Sequence, residues 1–185
     1  MRNNVNVVVK NPEDDGSGTL ITGEHILRDG LFSTRGRRAV TGIAHTGGLA
    51  QFFIELPEPG AARELEIFQR IGEAEINIDL ISVFPRVKAF TVKGEYSLKV
   101  EEILKSLEVP YRLDSDCAKV SVVGVGMHGI PGVMARVVQA LHDQGIKIKQ
   151  TGDSNITISL LIGQDDLPRA VKTLHDSFLL NDGES

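Results

Sequence analysis

The sequence predicts an α+β protein of two ferredoxin-like βαββαβ units with antiparallel sheets, the first unit inserted into the second. Three observations predict it. Two stretches of chain repeat the order strand, helix, strand, strand, helix, and a Pro-Gly pair precedes the first helix of each. The second stretch also runs out of residues before its closing strand, which would leave a bare sheet edge, so that strand must come from elsewhere in the chain.

Residues 1–38 hold one short alternating strand, VNVVVK (5–10), and then NPEDDGSGT, an acidic run rich in turn formers. The unassigned strand-like segment AVTGIAH (39–45) follows, and it is the expected donor of the missing strand. The first repeat then reads strand QFFIEL (51–56), Pro59-Gly60, helix 61–75, strands INIDLISVF (76–84) and KAFTVK (88–93), helix 97–107 and a closing extended run near 109–115. In the second repeat, strand KVSVVGV (119–125) leads through Pro131-Gly132 to helix 133–144, strands IKIKQ (146–150) and ITISLLI (156–162), and helix 166–178.

Period decides the helices: Val100, Ile103, Leu104 and Leu107 form one apolar stripe, and Leu167, Ala170, Val171, Leu174 and Phe178 form the matching one. Ser97 is the expected N-cap of the former and Asp165 or Asp166 of the latter; Pro168 is tolerable because it falls in a first turn. The domain boundaries that follow are 1–38 for a connecting strand and linker, 47–116 for the first unit, 39–46 with 117–180 for the second, and 181–185 for a tail.

Bulk properties narrow the function. The 185 residues are 41% hydrophobic with a net charge of −5, enough to build cores and of the wrong sign for a general nucleic-acid or anionic-membrane surface. RGRR (35–38) is the only dense basic run, and it has no aromatic neighbours. A single cysteine, Cys117, precludes an internal disulfide and fits a reducing compartment. No stretch approaches the roughly 20 apolar residues that span a bilayer, and MRNN opens no signal peptide, so the expected location is cytoplasmic.

Gly124, Gly126 and Gly129 stand in the G-x-G-x-x-G spacing of a dinucleotide cradle. That chemistry also needs parallel strands and an acid about 20 residues on for the ribose hydroxyls; IKIKQ supplies lysines instead, and Pro131 interrupts the turn. A turn alone accounts for the glycines. A further reading is that each Pro-Gly corner opens a helix whose free N–H groups receive a carboxylate, with glycine allowing close approach. The five histidines (His25, His45, His128, His142, His175) are scattered, as surface or capping residues would be.

The tandem repeat, with its two Pro-Gly corners, INID (76–79), AKVSVVGVGM (118–127) followed by PGVMARVVQAL, GTLIT (18–22), AVTGIAH and DDLPRAVKTLHDSF, resembles the paired ACT domains at the C-terminus of the aspartokinases over essentially the whole chain. The family's KFGGT-type nucleotide motif has no counterpart, and no nucleophile, paired-carboxylate or metal-spaced cluster replaces it, so no catalysis, cofactor or metal is expected of this chain alone. MRNN with VNVVVK resembles the end of the kinase domain and its connecting strand; a regulatory fragment and a separately made small subunit both fit.

The resemblance implies an end-product amino acid as effector (lysine, threonine or diaminopimelate), feedback inhibition of aspartate phosphorylation, a homodimer through ACT units, and association with an aspartokinase catalytic domain or large subunit. Family effectors sit between ACT units on the loop before the first helix and the strand after it. By position these are Leu56, Glu58, Gly60 and Ala61, then Asn77, Ile78 and Asp79, with Ile130, Gly132, Val133, Lys147 and Ile148 of the second unit facing the partner chain. Asp79 or Glu58 would pair with the effector's ammonium, and N–H groups near Gly60 with its carboxylate. Within ELPEPGAA the loop counted from Leu56, LPEPGAA, is one residue shorter than the family's VPDKPGVA pattern, and SVFPRV (82–87) replaces a polar turn. The alternative is a structural dimerisation module whose effector pocket has decayed.

Overall fold

A computed structural model describes residues 7–9, 19–21, 32–33, 36–37, 40–56, 61–124 and 131–180. Residues 1–39 and 40–185 form separate compact units. In the first, β1 (Val7–Val9) pairs antiparallel with β2 (Thr19–Ile21), and β3 (Phe32–Ser33) with β4 (Gly36–Arg37).

The second unit is built on β5 (Gly42–Glu55), α1 (Ala61–Glu73), β6 (Ile81–Val83), β7 (Val87–Lys93), α2 (Ser97–Ser106), β8 (Tyr111–Val123), α3 (Val133–Asp143), β9 (Gln150–Asp153), β10 (Thr157–Gly163) and α4 (Leu167–His175). Its strands form one six-stranded sheet in the order β6-β7-β5-β8-β10-β9, antiparallel at every pairing. β5 and β8 each serve two ferredoxin-like halves. Leu49–Glu55 pairs with β7, and Gln51–Ile54 with the start of β8, whereas Gly42–Thr46 pairs with Lys119–Val123 at its end. The strand ahead of the first repeat therefore closes the second, so the first is inserted into the second.

The register slips between Thr46 and Leu49 and again between Leu49 and Gln51. Gly48 sits at the first slip with φ +67, a left-handed conformation that glycine adopts without Cβ strain. Its N–H donates to Gln164 Oε1 at 2.7 Å.

One core lies between the first half's sheet and helices. Alternation along β5 and β7 turns Ala50, Phe52, Ile54, Phe90 and Val92 to one face, where they meet Ile67 and Ile71 of α1 and Val100 and Leu104 of α2. Phe52 stacks on Phe90 with ring centroids 5.5 Å apart. The second half buries the equivalent set: Val120, Val122, Ile158, Leu160 and Ile162 from strands, Val137, Leu141, Ala170 and Leu174 from helices. In each half an arginine of the first helix donates to a carbonyl at the end of the second: Arg63 to Leu107 O and Arg136 to Ser177 O.

Several boundaries differ from the sequence expectation. The closing run near 109–115 and the strand from 119 are one unbroken strand, β8. β6 and β9 begin at 81 and 150, later than expected, because the residues before them bond irregularly: Leu80 N donates to Thr91 Oγ1 at 2.9 Å and not to a main-chain carbonyl. α1 stops at Glu73 and α2 at Ser106; Glu75 and Glu108 beyond them have φ 57 and 52, where a right-handed helix cannot continue. Ser97 is not an N-cap, since its Oγ donates to Gly94 O after a 3₁₀ turn over 94–96. Neither Asp165 nor Asp166 makes a side-chain cap; Asp166 pairs with Arg169, and Pro168 does fall in the first turn of α4. α4 ends at His175 and passes into a π-helical turn over Asp176–Leu180.

Candidate functional site

In each half the strand-to-helix corner is tied to the neighbouring hairpin by one main-chain bond: Leu56 N donates to Arg86 O at 2.8 Å, and Gly124 N to Ile156 O at 2.9 Å. Gly132, φ +90, is the N-cap of α3, and its carbonyl accepts from Arg136 N at 2.9 Å. Glu58, Gly60 and Ile130 lie outside the described residues, as do Gly126, Gly129, His25 and His128. Gly124 directly follows β8, a strand of a sheet that is antiparallel at every pairing described, which removes the parallel βαβ frame a dinucleotide cradle requires.

Beside the first corner lies a cavity of about 1150 Å³. Ile54, Leu56, Val87, Val109 and Tyr111 give it apolar walls, and its charged members are Glu55, Arg63, Glu108 and Arg112. Two acids and two bases around an apolar floor suit a small zwitterion better than a polyanion. Arg112 is held over the Phe53 ring at 4.2 Å. Tyr111 donates to Glu101 Oε2, and this bond, with Lys105, holds the Glu101 carboxyl below its ordinary range. The loop assignments made from sequence thus divide: Leu56 lines the cavity, and Ala61 immediately precedes Ala62, which also lines it. Arg63, Glu108 and Arg112 carry no motif and were not expected.

The other assignments gather elsewhere. Asn77 is exposed, Ile78 packs against the first core, and the Asp79 carboxylate receives Lys119 Nζ at 2.5 Å. Asp79 N donates to Thr91 O, and Thr91 stands opposite Gln51 on β5. Leu56 is five residues further along, so Asp79 and Leu56 lie roughly 16 Å apart along the strand axis. No single amino acid bridges them within one chain. Val133 points into the core at 9% exposure, Lys147 is exposed and Ile148 half-buried at the entry to β9.

That entry and the entry to β6 meet at a polar junction between the two halves. Gln51 Nε2 donates to Gln150 Oε1 at 2.8 Å, and Gln150 Nε2 to Ser82 Oγ at 2.9 Å. Gln51 Oε1 is buried with no partner among the described residues. Lys149 Nζ pairs with Asp114 Oδ2 at 2.9 Å and donates to Asp116 O at 2.7 Å. Partial burial works against both charges, but their mutual bond prevails: the Asp114 carboxyl is held below its ordinary value and the Lys149 ammonium above. Burial pushes the Cys117 thiol up, although Lys149 Nζ lies 3.4 Å from its sulfur. Among the described residues no group of three or more His, Cys, Asp or Glu side chains is placed to hold a metal, and no helix is long and apolar enough to cross a membrane.

Residues 120–178 match the family model described as the ACT domain. Over 181 residues the chain is 33% identical to aspartokinase 1 of Bacillus subtilis, aligning 98% of itself with 44% of that protein, so it spans under half the length of this relative. The ligand-free regulatory subunit of aspartate kinase from Thermus thermophilus superposes with a TM-score of 0.69 at 31% identity, over 76% of this chain and 99% of that one. Aspartate kinase from Synechocystis superposes with a TM-score of 0.71 at 31% identity, over 80% of this chain and 28% of that one.

Proposed function

Because the chain belongs to the ACT-domain regulatory regions of the aspartokinases, we propose that it binds an end-product amino acid (lysine, threonine or diaminopimelate) and passes that occupancy to an aspartate kinase as feedback inhibition. The observation that carries the reading is the cavity beside Leu56 at the head of α1, with apolar walls and charges of both signs. The effector's α-carboxylate takes the free N–H groups at the start of α1, near Gly60 and Ala61, where the helix dipole favours an anion. Its ammonium takes a carboxylate, Glu58 from the same loop or Asp79 from a second chain.

Asp79 and Leu56 are too far apart to share a ligand within one protomer, so the site is completed across a homodimer. Ile130, Gly132, Lys147 and Ile148 of the second unit face the partner chain in this reading, whereas Val133, expected with them, is buried in its own core. The edge strand β6 and the turn after it support it: Ile81 and Val83 of the strand and Phe84 beyond it are 50%, 55% and 60% exposed, apolar along an edge that is unpaired among the described residues and that a second copy would cover. The working boundaries are 47–116 for the first ACT unit and 39–46 with 117–180 for the second, residues 1–38 leading from a kinase catalytic domain or large subunit.

The test is a melting curve and a sedimentation profile with each amino acid. At a concentration of one hundred times Kd, a ligand that binds only the native state adds about 2.7 kcal/mol, a rise in Tm of about 5–10 °C for a domain of this size. A rise with one amino acid, together with a change in association state, supports the proposal. No shift with any of them, with a dimer present throughout, favours a structural dimerisation module.

A further inference from the structure

We propose that the Lys119 side chain is a built-in competitor for the effector: its ε-ammonium occupies, on Asp79, the place an amino acid's ammonium would take, so that binding must displace it. The inference rests on the effector reading above and concerns how that site is regulated. Its basis is the pairing itself. Lys119 Nζ lies 2.5 Å from Asp79 Oδ1, and Lys119 presents the same functional group as the ligand, a primary ammonium. The pair joins residues 40 positions apart, one in each half of the sheet.

The repeat makes the arrangement more telling. The two hairpins superpose, Phe84 N donating to Val87 O in one and Ser154 N to Thr157 O in the other, which sets Asp79 equivalent to Lys149. Equivalent positions therefore carry opposite charges. Asp79 of the first half takes a lysine of the second, and Lys149 of the second takes Asp114 from the first-half end of β8. These are two crossed braces over one junction, and they differ in how firmly they hold. Lys149 is gripped by Asp114 Oδ2 and Asp116 O, whereas among the described residues Lys119 has the single acceptor Asp79 Oδ1.

Both members of the Asp79 pair touch solvent, at 28% and 19% exposure, so the exchange strands no buried charge. An incoming ammonium would free Lys119 to water and release one brace, while the Lys149 brace and the Gln51–Gln150–Ser82 relay keep the halves joined. Ligand binding would thereby shift the angle between two halves of one fold, the kind of two-state element a tethered kinase can sense.

The experiment is calorimetric titration of the full chain with L-lysine, L-threonine and meso-diaminopimelate, on wild type, Lys119→Met, Lys119→Arg and Asp79→Asn. Lys119→Met keeps the aliphatic stem and removes the competing charge; it should bind the active amino acid about fivefold more tightly. Lys119→Arg should retain wild-type affinity, and Asp79→Asn should lose binding. Lys119→Gln replaces Lys119→Met if the latter melts early. Unchanged affinity in the Lys119 variants with loss in Asp79→Asn overturns the competitor and leaves the effector reading standing. Tighter binding without dependence on Asp79 also overturns it. No heat from any of the four proteins overturns both.

Discussion

Gln51 sits in the middle of the sheet with its amide nitrogen satisfied and its oxygen without a partner among the described residues. Reversing the amides of Gln51 and Gln150 together does not help: the relay then runs the other way, and the Gln51 nitrogen becomes the orphan. Burying an unpaired polar atom costs free energy, whereas removing both partners of a buried pair can cost little. Gln51→Leu alone should therefore destabilise by about 1–2 kcal/mol, because Gln150 loses its donor, and Gln51→Leu with Gln150→Leu should recover most of that loss in urea melts. Junction electrostatics also fix a pH profile. The Asp114 carboxyl is depressed, so its contribution is present above its ordinary value of 3.8 and is lost as pH falls through the lower folded value. The raised Lys149 ammonium contributes fully below 10.5 and is lost as pH rises through its higher folded value. Lys149→Met should flatten the acid limb in a stability-versus-pH series. At this scale the sequence was least informative. Asp79 stood out as a charge in a motif, but Lys119 and Lys149 were only strand lysines, since nothing local says which distant acid will meet them.

Two long strands do what four short ones were expected to do. The edge argument correctly required residues 39–45 to close the second repeat, because a missing strand is visible in the order of elements alone. The fusion within β8 was not visible: the closing run was expected to end near 115 and the next strand to begin at 119, and the acids at that junction, Asp114 and Asp116, are turn formers. In the fold those acids stay extended because Lys149 binds the Asp114 carboxylate and the Asp116 carbonyl. Helix ends at Glu75 and Glu108 were missed for a related reason, as glutamate gives no sign of a left-handed conformation that glycine would announce, as Gly145 does at φ 67 in the second half. β5 carries the clearest prediction at this scale. Gly48→Ala places a Cβ at φ +67 and should cost about 1 kcal/mol without changing the fold. A chain beginning at residue 47 removes Gly42–Thr46 and bares the edge of β8. Hydrogen exchange should then show the amides of Lys119–Val123 that face Gly42–Thr46 unprotected, while those that face β10 and the amides of Ala50–Ile54 stay protected.

Sharing β5 and β8 makes residues 40–185 one cooperative body, so thermal unfolding should give a single transition, and limited proteolysis should not yield a stable single half. The sharing also bears on regulation, since β5 and β8 run through both halves and the register slips between Thr46 and Gln51 are where the two halves can flex. The broad architecture was legible from repeat order and periodicity because those are properties of the whole chain. The candidate site was legible only as two separate clusters, near Leu56 and near Asp79, which lie roughly 16 Å apart along the strand axis and which the proposed dimer would bring together. The most direct test of the account is an amide chemical-shift map of the chain titrated with lysine, threonine and diaminopimelate in turn. The account predicts that one of them perturbs Leu56, Ala61–Arg63 and Asn77–Asp79 together, saturably. Shifts confined to one of those clusters, or absent for all three amino acids, would contradict it.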